Sequence, residues 1–261
     1  MKIIHTVVSA DGFRDVKSNR PRIALLKQLV KLGEHMAANV LVLPAGFLTA
    51  STENELPTQI EPIADLADLA HLGIIGGIDV PSLMLSGGKN SDSVDDLVRA
   101  NRLPYFGFAV GKAFSLPDRV RIWRQSSVTS SNAELVDDNW VPGGERVVTA
   151  KETRIGTLIC GELFSCYARE KIATAGAELV VDLGHSGMGQ GLIPSMRRLA
   201  ADGTCSVAHS QHLSYSYGRS VHFVDTTGVQ HSTPVEEENL VECESLWAGW
   251  ALREIAPLPG G

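Results

Sequence analysis

Cys160 ends the run Arg154-Ile-Gly-Thr-Leu-Ile-Cys160-Gly-Glu162. Ile155, Leu158 and Ile159 read as a short buried strand, and Cys160-Gly-Glu162 as the turn that follows it, so the thiol is presented at a strand's carboxyl end. Ligands of open α/β sheets bind at that end. A thiol placed there is suited to nucleophilic attack on an electrophilic carbon. An ordinary thiol, with a pKa of about 8.5, is only a few per cent thiolate at neutral pH, so it needs a base and a positive neighbour.

The chain offers few groups to serve it. Leu183-Gly-His185-Ser follows another strand and brings an imidazole to the same sheet end, where it is a candidate for a substitute base. Glu162, two residues past the thiol, is either a displaced base or a local hydrogen-bonding group. Glu53 and Glu55 read as solvated loop charges. His209 and His212 would share a helix face but point to opposite faces of a strand, so no metal site is expected of them. The glycine-rich run 184–191 lacks both the Gly-Lys-Ser/Thr ending of a P-loop and a dinucleotide fingerprint, and reads as a loop at the pocket mouth.

The elements that must position these residues follow from periodicity. Residues 3–9, 40–43 and 73–80 are near-continuous apolar strands, separated by amphipathic helices over 18–38 and 60–72. Strands are expected at 105–114, 120–124, 147–150, 153–160, 178–183, 205–211 and 220–225, with helices at 166–175 and 192–202. Residues 86–102 form a polar surface insertion, and 246–261 a carboxyl-terminal tail whose Trp247 and Trp250 serve packing or dimer contacts. Strands alternating with helices, in two halves of similar order, predict a single α/β domain of stacked sheets with helices outside.

Composition narrows the function classes. With 261 residues, 44% of them hydrophobic, the chain can bury a full core. Its net charge of -7 disfavours a nucleic-acid surface, which needs a basic face. No run approaches the roughly 20 apolar residues of a membrane span. The four cysteines, Cys160, Cys166, Cys205 and Cys243, show no CxxC spacing, so free thiols in a reducing cytoplasm are expected, with Cys166 and Cys205 as packing residues.

Several segments together resemble the nitrilase superfamily of carbon-nitrogen hydrolases, over most of the chain. Ile155-Gly-Thr-Leu-Ile-Cys160-Gly-Glu162 is similar to the family's cysteine strand, and Ala173-Thr-Ala-Gly176-Ala177-Glu-Leu-Val-Val181 to the helix end and strand that follow it. Val40-Leu-Val-Leu-Pro44 resembles the strand before the family's catalytic glutamate, and Phe223-Val-Asp-Thr-Thr-Gly228 the late hairpin. The resemblance implies a four-layer α-β-β-α sandwich, dimeric through its outer helices, acting on a small amide, nitrile or carboxylate ligand without metal or organic cofactor.

It also implies a glutamate base and a lysine beside the nucleophile. Carried over, the nucleophile falls on Cys160, the glutamate on Ala45, the lysine on Gln125, and a second family glutamate on Glu134. His185 and Glu162 are the expected substrate-side residues. A methyl group accepts no proton, and an amide carries no charge. A non-catalytic small-molecule-binding or interaction role is therefore favoured; the alternative is an active amidase in which His185 substitutes for the missing base.

Overall fold

The computed structural model describes residues 1–85, 93–129, 131–133, 146–186, 189–216 and 219–256. In the first half, β1 (Lys2–Ser9), α1 (Asn19–His35), β2 (Val40–Val42), β3 (Leu48–Thr49), α2 (Leu56–Leu69) and β4 (Gly73–Asp79) alternate as expected. The short helices α3 (Ser82–Leu85) and α4 (Val94–Arg99) lead to the hairpin of β5 (Tyr105–Val110) and β6 (Val120–Arg124). The second half runs β7 (Val147–Ala150), β8 (Thr153–Ile159), α5 (Cys166–Thr174), β9 (Leu179–Ser186), α6 (Leu192–Gly203), β10 (Ser206–Leu213), β11 (Ser220–Val224), β12 (Gln230–Pro234), β13 (Leu240–Cys243) and β14 (Leu246–Glu254).

The strands make one continuous curled sheet in the order β6-β5-β4-β2-β1-β10-β9-β8-β7, with β1 as the seam. Residues 3–5 of β1 pair in parallel with β2, and residues 7–9 with β10. At the junction the Thr6 hydroxyl donates to the Val42 carbonyl at 2.9 Å, and the Ser210 hydroxyl to the Thr6 carbonyl at 2.5 Å. These side chains satisfy buried carbonyls where neighbouring strands part, which keeps the split from costing unpaired backbone groups.

Curling folds the two halves face to face and produces four layers. Leu25, Leu29, Ile60 and Ile63 of α1 and α2 bury one outer face against Ile4, Leu41 and Ile74. Ile172, Met196 and Leu199 of α5 and α6 cover the other, against Leu158, Val180 and Val207. Between the sheets lie Val40, Val42 and Ile75 from one side and Ile155, Leu179 and Val181 from the other. Each strand thus alternates a helix-facing and a sheet-facing residue, and both are apolar, which explains the unbroken apolar runs.

Three expectations need correction. Cys166, expected to pack, is exposed at the start of α5. Residues 246–254, read as tail, form β14, which pairs antiparallel with β1 from Lys2↔Glu254 to Val8↔Ala248. Its small residues Ala248, Gly249 and Ala251 are buried, and a low share of β-branched residues hid it from periodicity. The strand expected over 105–114 stops at Val110, where Gly111 turns the chain with φ of 106°. Of the insertion, residues 86–92 lie outside the described residues, while 93–102 carry α4.

Candidate active site

Cys160 follows β8 directly and has φ of 49°, in the left-handed region that non-glycine residues seldom occupy. Such a conformation persists only where surrounding contacts impose it, and it turns the thiol sharply off the strand end. Glu162 supplies much of that restraint. Its fully buried carboxylate accepts from the backbone N–H of Ile159 at 2.9 Å, the backbone N–H and hydroxyl of Ser126 at 2.5 and 2.8 Å, and Arg146 Nη1 at 2.6 Å. With its oxygens thus engaged, Glu162 ties the thiol turn to the end of β6 and stands off the cavity wall.

The strands deliver three further groups to the same end. His185 is at the end of β9, Asp79 is the last residue of β4, and Arg14 sits in the loop after β1. His185 Nε2 lies 3.0 Å from Asp79 Oδ1, and Arg14 Nε donates to Asp79 Oδ2 at 2.9 Å. The Cys160 thiol lies within hydrogen-bonding reach of the His185 side chain. A continuous chain therefore runs Arg14, Asp79, His185, Cys160.

Its electrostatics favour charged forms. Burial alone would push the imidazolium of His185 down, but Asp79 and the Cys160 sulfur outweigh it and raise the pKa to about 9. Burial likewise opposes ionisation of Asp79, yet His185 and Arg14 hold its carboxyl below the usual range. Phe13 and Tyr105 pack on His185 with ring centroids at 5.8 and 4.6 Å, shielding the couple from water. Burial raises the Tyr105 phenol above its ordinary value.

Cys160, His185, Arg14, Tyr105 and Gln125 border a cavity of about 360 Å³. Gln125 is buried; its Nε2 donates to the Ser127 carbonyl at 2.5 Å, and its Oε1 has no hydrogen-bond partner among the described residues. Ala45 is buried beside the site, packed so tightly on β4 that a Cβ on Gly77 would lie 2.5 Å from its Cα. A Cβ on the neighbouring Gly46, whose φ is 62°, would lie 2.9 Å from Asp79 Oδ2. The carboxylate of Asp79, on the adjacent strand, therefore lies next to the Ala45–Gly46 turn.

Other sequence candidates fall elsewhere. Glu134 lies outside the described residues. His209 bonds Asp182 through Nδ1 at 2.7 Å, whereas the ring of His212 lies between the Ser9 and Ala45 carbonyls at 3.1 and 3.0 Å. Glu53 pairs with Arg124. Among the described residues no group of three or more His, Cys, Asp or Glu is placed to hold a metal ion. No helix among them is long and apolar enough to cross a membrane. Sequence reasoning missed Asp79 and Arg14. The signal for Asp79 was present, a lone carboxylate in the apolar strand Gly73-Ile-Ile-Gly-Gly-Ile-Asp79, since a charge buried there needs a partner.

Cysteine strand, curled double sheet and outer helices together make the fold of the nitrilase-superfamily amidases. An amidase from Nesterenkonia sp. superposes with a TM-score of 0.63 at 13% identity, covering 96% of this chain and 90% of that one. A variant of the Nesterenkonia sp. AN1 amidase carrying the acetamide moiety of fluoroacetamide on its active-site cysteine matches over the same shares at 13% identity and a TM-score of 0.63. A cysteine-to-alanine variant in complex with butyramide does so at 12% identity and 0.63. No family profile and no curated protein matches the sequence.

Proposed function

We propose that this chain hydrolyses small amides through Cys160, with His185 and Asp79 in place of the glutamate and lysine of related folds. The observation that carries this is the hydrogen-bonded chain Asp79–His185–Cys160 on the wall of the 360 Å³ cavity. One imidazole meets both needs of the thiol. It takes the thiol proton, and the resulting imidazolium, held by Asp79, is the positive neighbour that stabilises the thiolate.

The sulfur attacks the amide carbon, and the carbonyl electron pair moves onto oxygen. Collapse of the tetrahedral species breaks the C–N bond while His185 passes its proton to the departing nitrogen, leaving a thioester on Cys160 and a neutral imidazole. Water then attacks the thioester and gives a proton to His185; the C–S bond breaks, the acid departs, and the thiolate–imidazolium pair is restored. The side-chain amide of Gln125 supports the oxyanion as a neutral donor.

Ammonia release and intact-mass spectrometry on a panel of small amides test this. Turnover with an acyl adduct on Cys160, both lost in Cys160→Ala and His185→Gln, is the expected result. A non-catalytic binding role, to which Ala45 and Gln125 point, is supported instead if no amide turns over and ligand-induced thermal stabilisation survives Cys160→Ala.

A further inference from the structure

Five apolar residues, Val94, Leu97, Leu103, Pro104 and Val128, also line the cavity that holds Cys160. We propose that they form an acyl-group subsite and that the substrate is an amide whose acyl group is uncharged and apolar, larger than acetyl. This rests on the amide-hydrolase function above, and it adds which amides are taken.

The subsite is a built feature. Helix α4 starts in a capping box, where the Ser93 hydroxyl accepts from the Asp96 backbone N–H and the Asp96 carboxylate accepts from the Ser93 backbone N–H, both at 3.2 Å. Asp95 Oδ1 then accepts from the Ser131 hydroxyl at 2.5 Å and the Asn132 backbone N–H at 2.9 Å, which clamps α4 to the segment after β6. Val98, Leu103 and Ala133 bury themselves together beneath Leu97 and Val128. The side chains of Val94 and Leu97 are thereby fixed on the cavity wall, and Val94 stays 39% exposed. An apolar residue held at a cavity wall gains most when an apolar ligand covers it.

Charge excludes the main competing class. The two cationic groups on the described wall, Arg14 and His185, both bind Asp79. In the thiolate form, Cys160 adds a second negative charge beside them. A substrate carboxylate would therefore enter next to two anions, Asp79 and the thiolate, and would have to share Arg14 and His185 with them, which costs desolvation for a weakened ion pair.

The test compares acetamide, hexanamide, benzamide and succinamic acid. The expected result is a kcat/KM for hexanamide or benzamide at least tenfold above acetamide, with succinamic acid poorest. Val94→Asn and Leu97→Asn each lower the hexanamide-to-acetamide ratio at least fivefold. A preference for acetamide or succinamic acid, or a ratio unmoved by both variants, overturns the proposal. If no amide turns over, the hydrolase function fails on its own. The subsite is then read by thermal shift of Cys160→Ala, where hexanamide must stabilise more than acetamide at equal concentration, and equal shifts reject it.

Discussion

Asp79 Oδ1 and His185 Nε2 meet at 3.0 Å from strands 106 residues apart in sequence, with the Asp79 side chain 1% exposed and that of His185 9%. So dry a pair is strong when both members are charged and costly when one is missing. It places a carboxylate-oriented imidazole against the Cys160 thiol, although positions 45 and 125 hold alanine and glutamine. Arg14 on the second oxygen of Asp79 fixes the carboxylate's rotation.

Asp79→Asn keeps the shape of this pair and removes its charge. The imidazolium loses its principal partner, so kcat/KM is expected to drop by about 10²- to 10⁴-fold. The alkaline limb of the pH–rate profile should move to lower pH, because Asp79 is the main group raising His185. An unmoved limb in a folded variant would show that Asp79 does not tune His185.

Stability should peak near pH 6.5. The folded His185 has a pKa raised to about 9 against an unfolded value of about 6.5, so its contribution is whole below pH 6.5 and is lost as pH rises through 9. Burial pushes His5 and His212 down to about 3. They stay neutral when folded, so their contribution is whole above pH 6.5 and is lost as pH falls toward 3. Thermal melts from pH 4 to 10 check both limbs; His185→Gln should flatten the alkaline one alone.

Ala45→Glu, combined with Gln125→Lys, introduces the carboxylate and ammonium that the family resemblance leads one to expect there, but should not raise activity. Ala45 is 1% exposed and packed on Gly77, and Asp79 already lies beside it. A buried glutamate there overpacks the site and sets two carboxylates together, which is expected to cost at least about 2 kcal/mol. Chemical denaturation measures the cost, and a stable, more active double variant would refute it.

Glu162→Gln should destabilise by about 3–5 kcal/mol, since it removes the buried charge that Arg146 pairs with at 2.6 Å and weakens the contacts holding the Cys160 turn. Alkylation of Cys160 by iodoacetamide should slow in parallel. A change in activity without a change in stability would instead give Glu162 a direct part in the chemistry.

Much of the architecture was legible because it is local. The unbroken apolar runs at 40–42, 73–79 and 179–183 reflect strands buried on both faces, and helical spacing marked α1, α2, α5 and α6. β14 escaped because Ala248, Gly249 and Ala251 owe their strand conformation to pairing with β1 rather than to propensity. The apolar wall of the cavity was hidden for a related reason. Val94 and Leu97 sit in a polar stretch, and only the hydrogen bonds of Asp95 to residues 131–132 set them on the site.

By itself the sequence determined the order of strands and helices, the thiol at the end of β8, and the absence of a carboxylate at 45 and an ammonium at 125. Those are properties of neighbouring residues, and side-chain periodicity records them. Which groups surround the Cys160 thiol was decided only by tertiary structure. Parallel pairing of β2 with β4 places Asp79 beside Ala45, and the curl of the sheet brings the ends of β4, β8 and β9 together. Neither relation is written in any local pattern, because strand pairing and sheet curl are set by burial of the whole core.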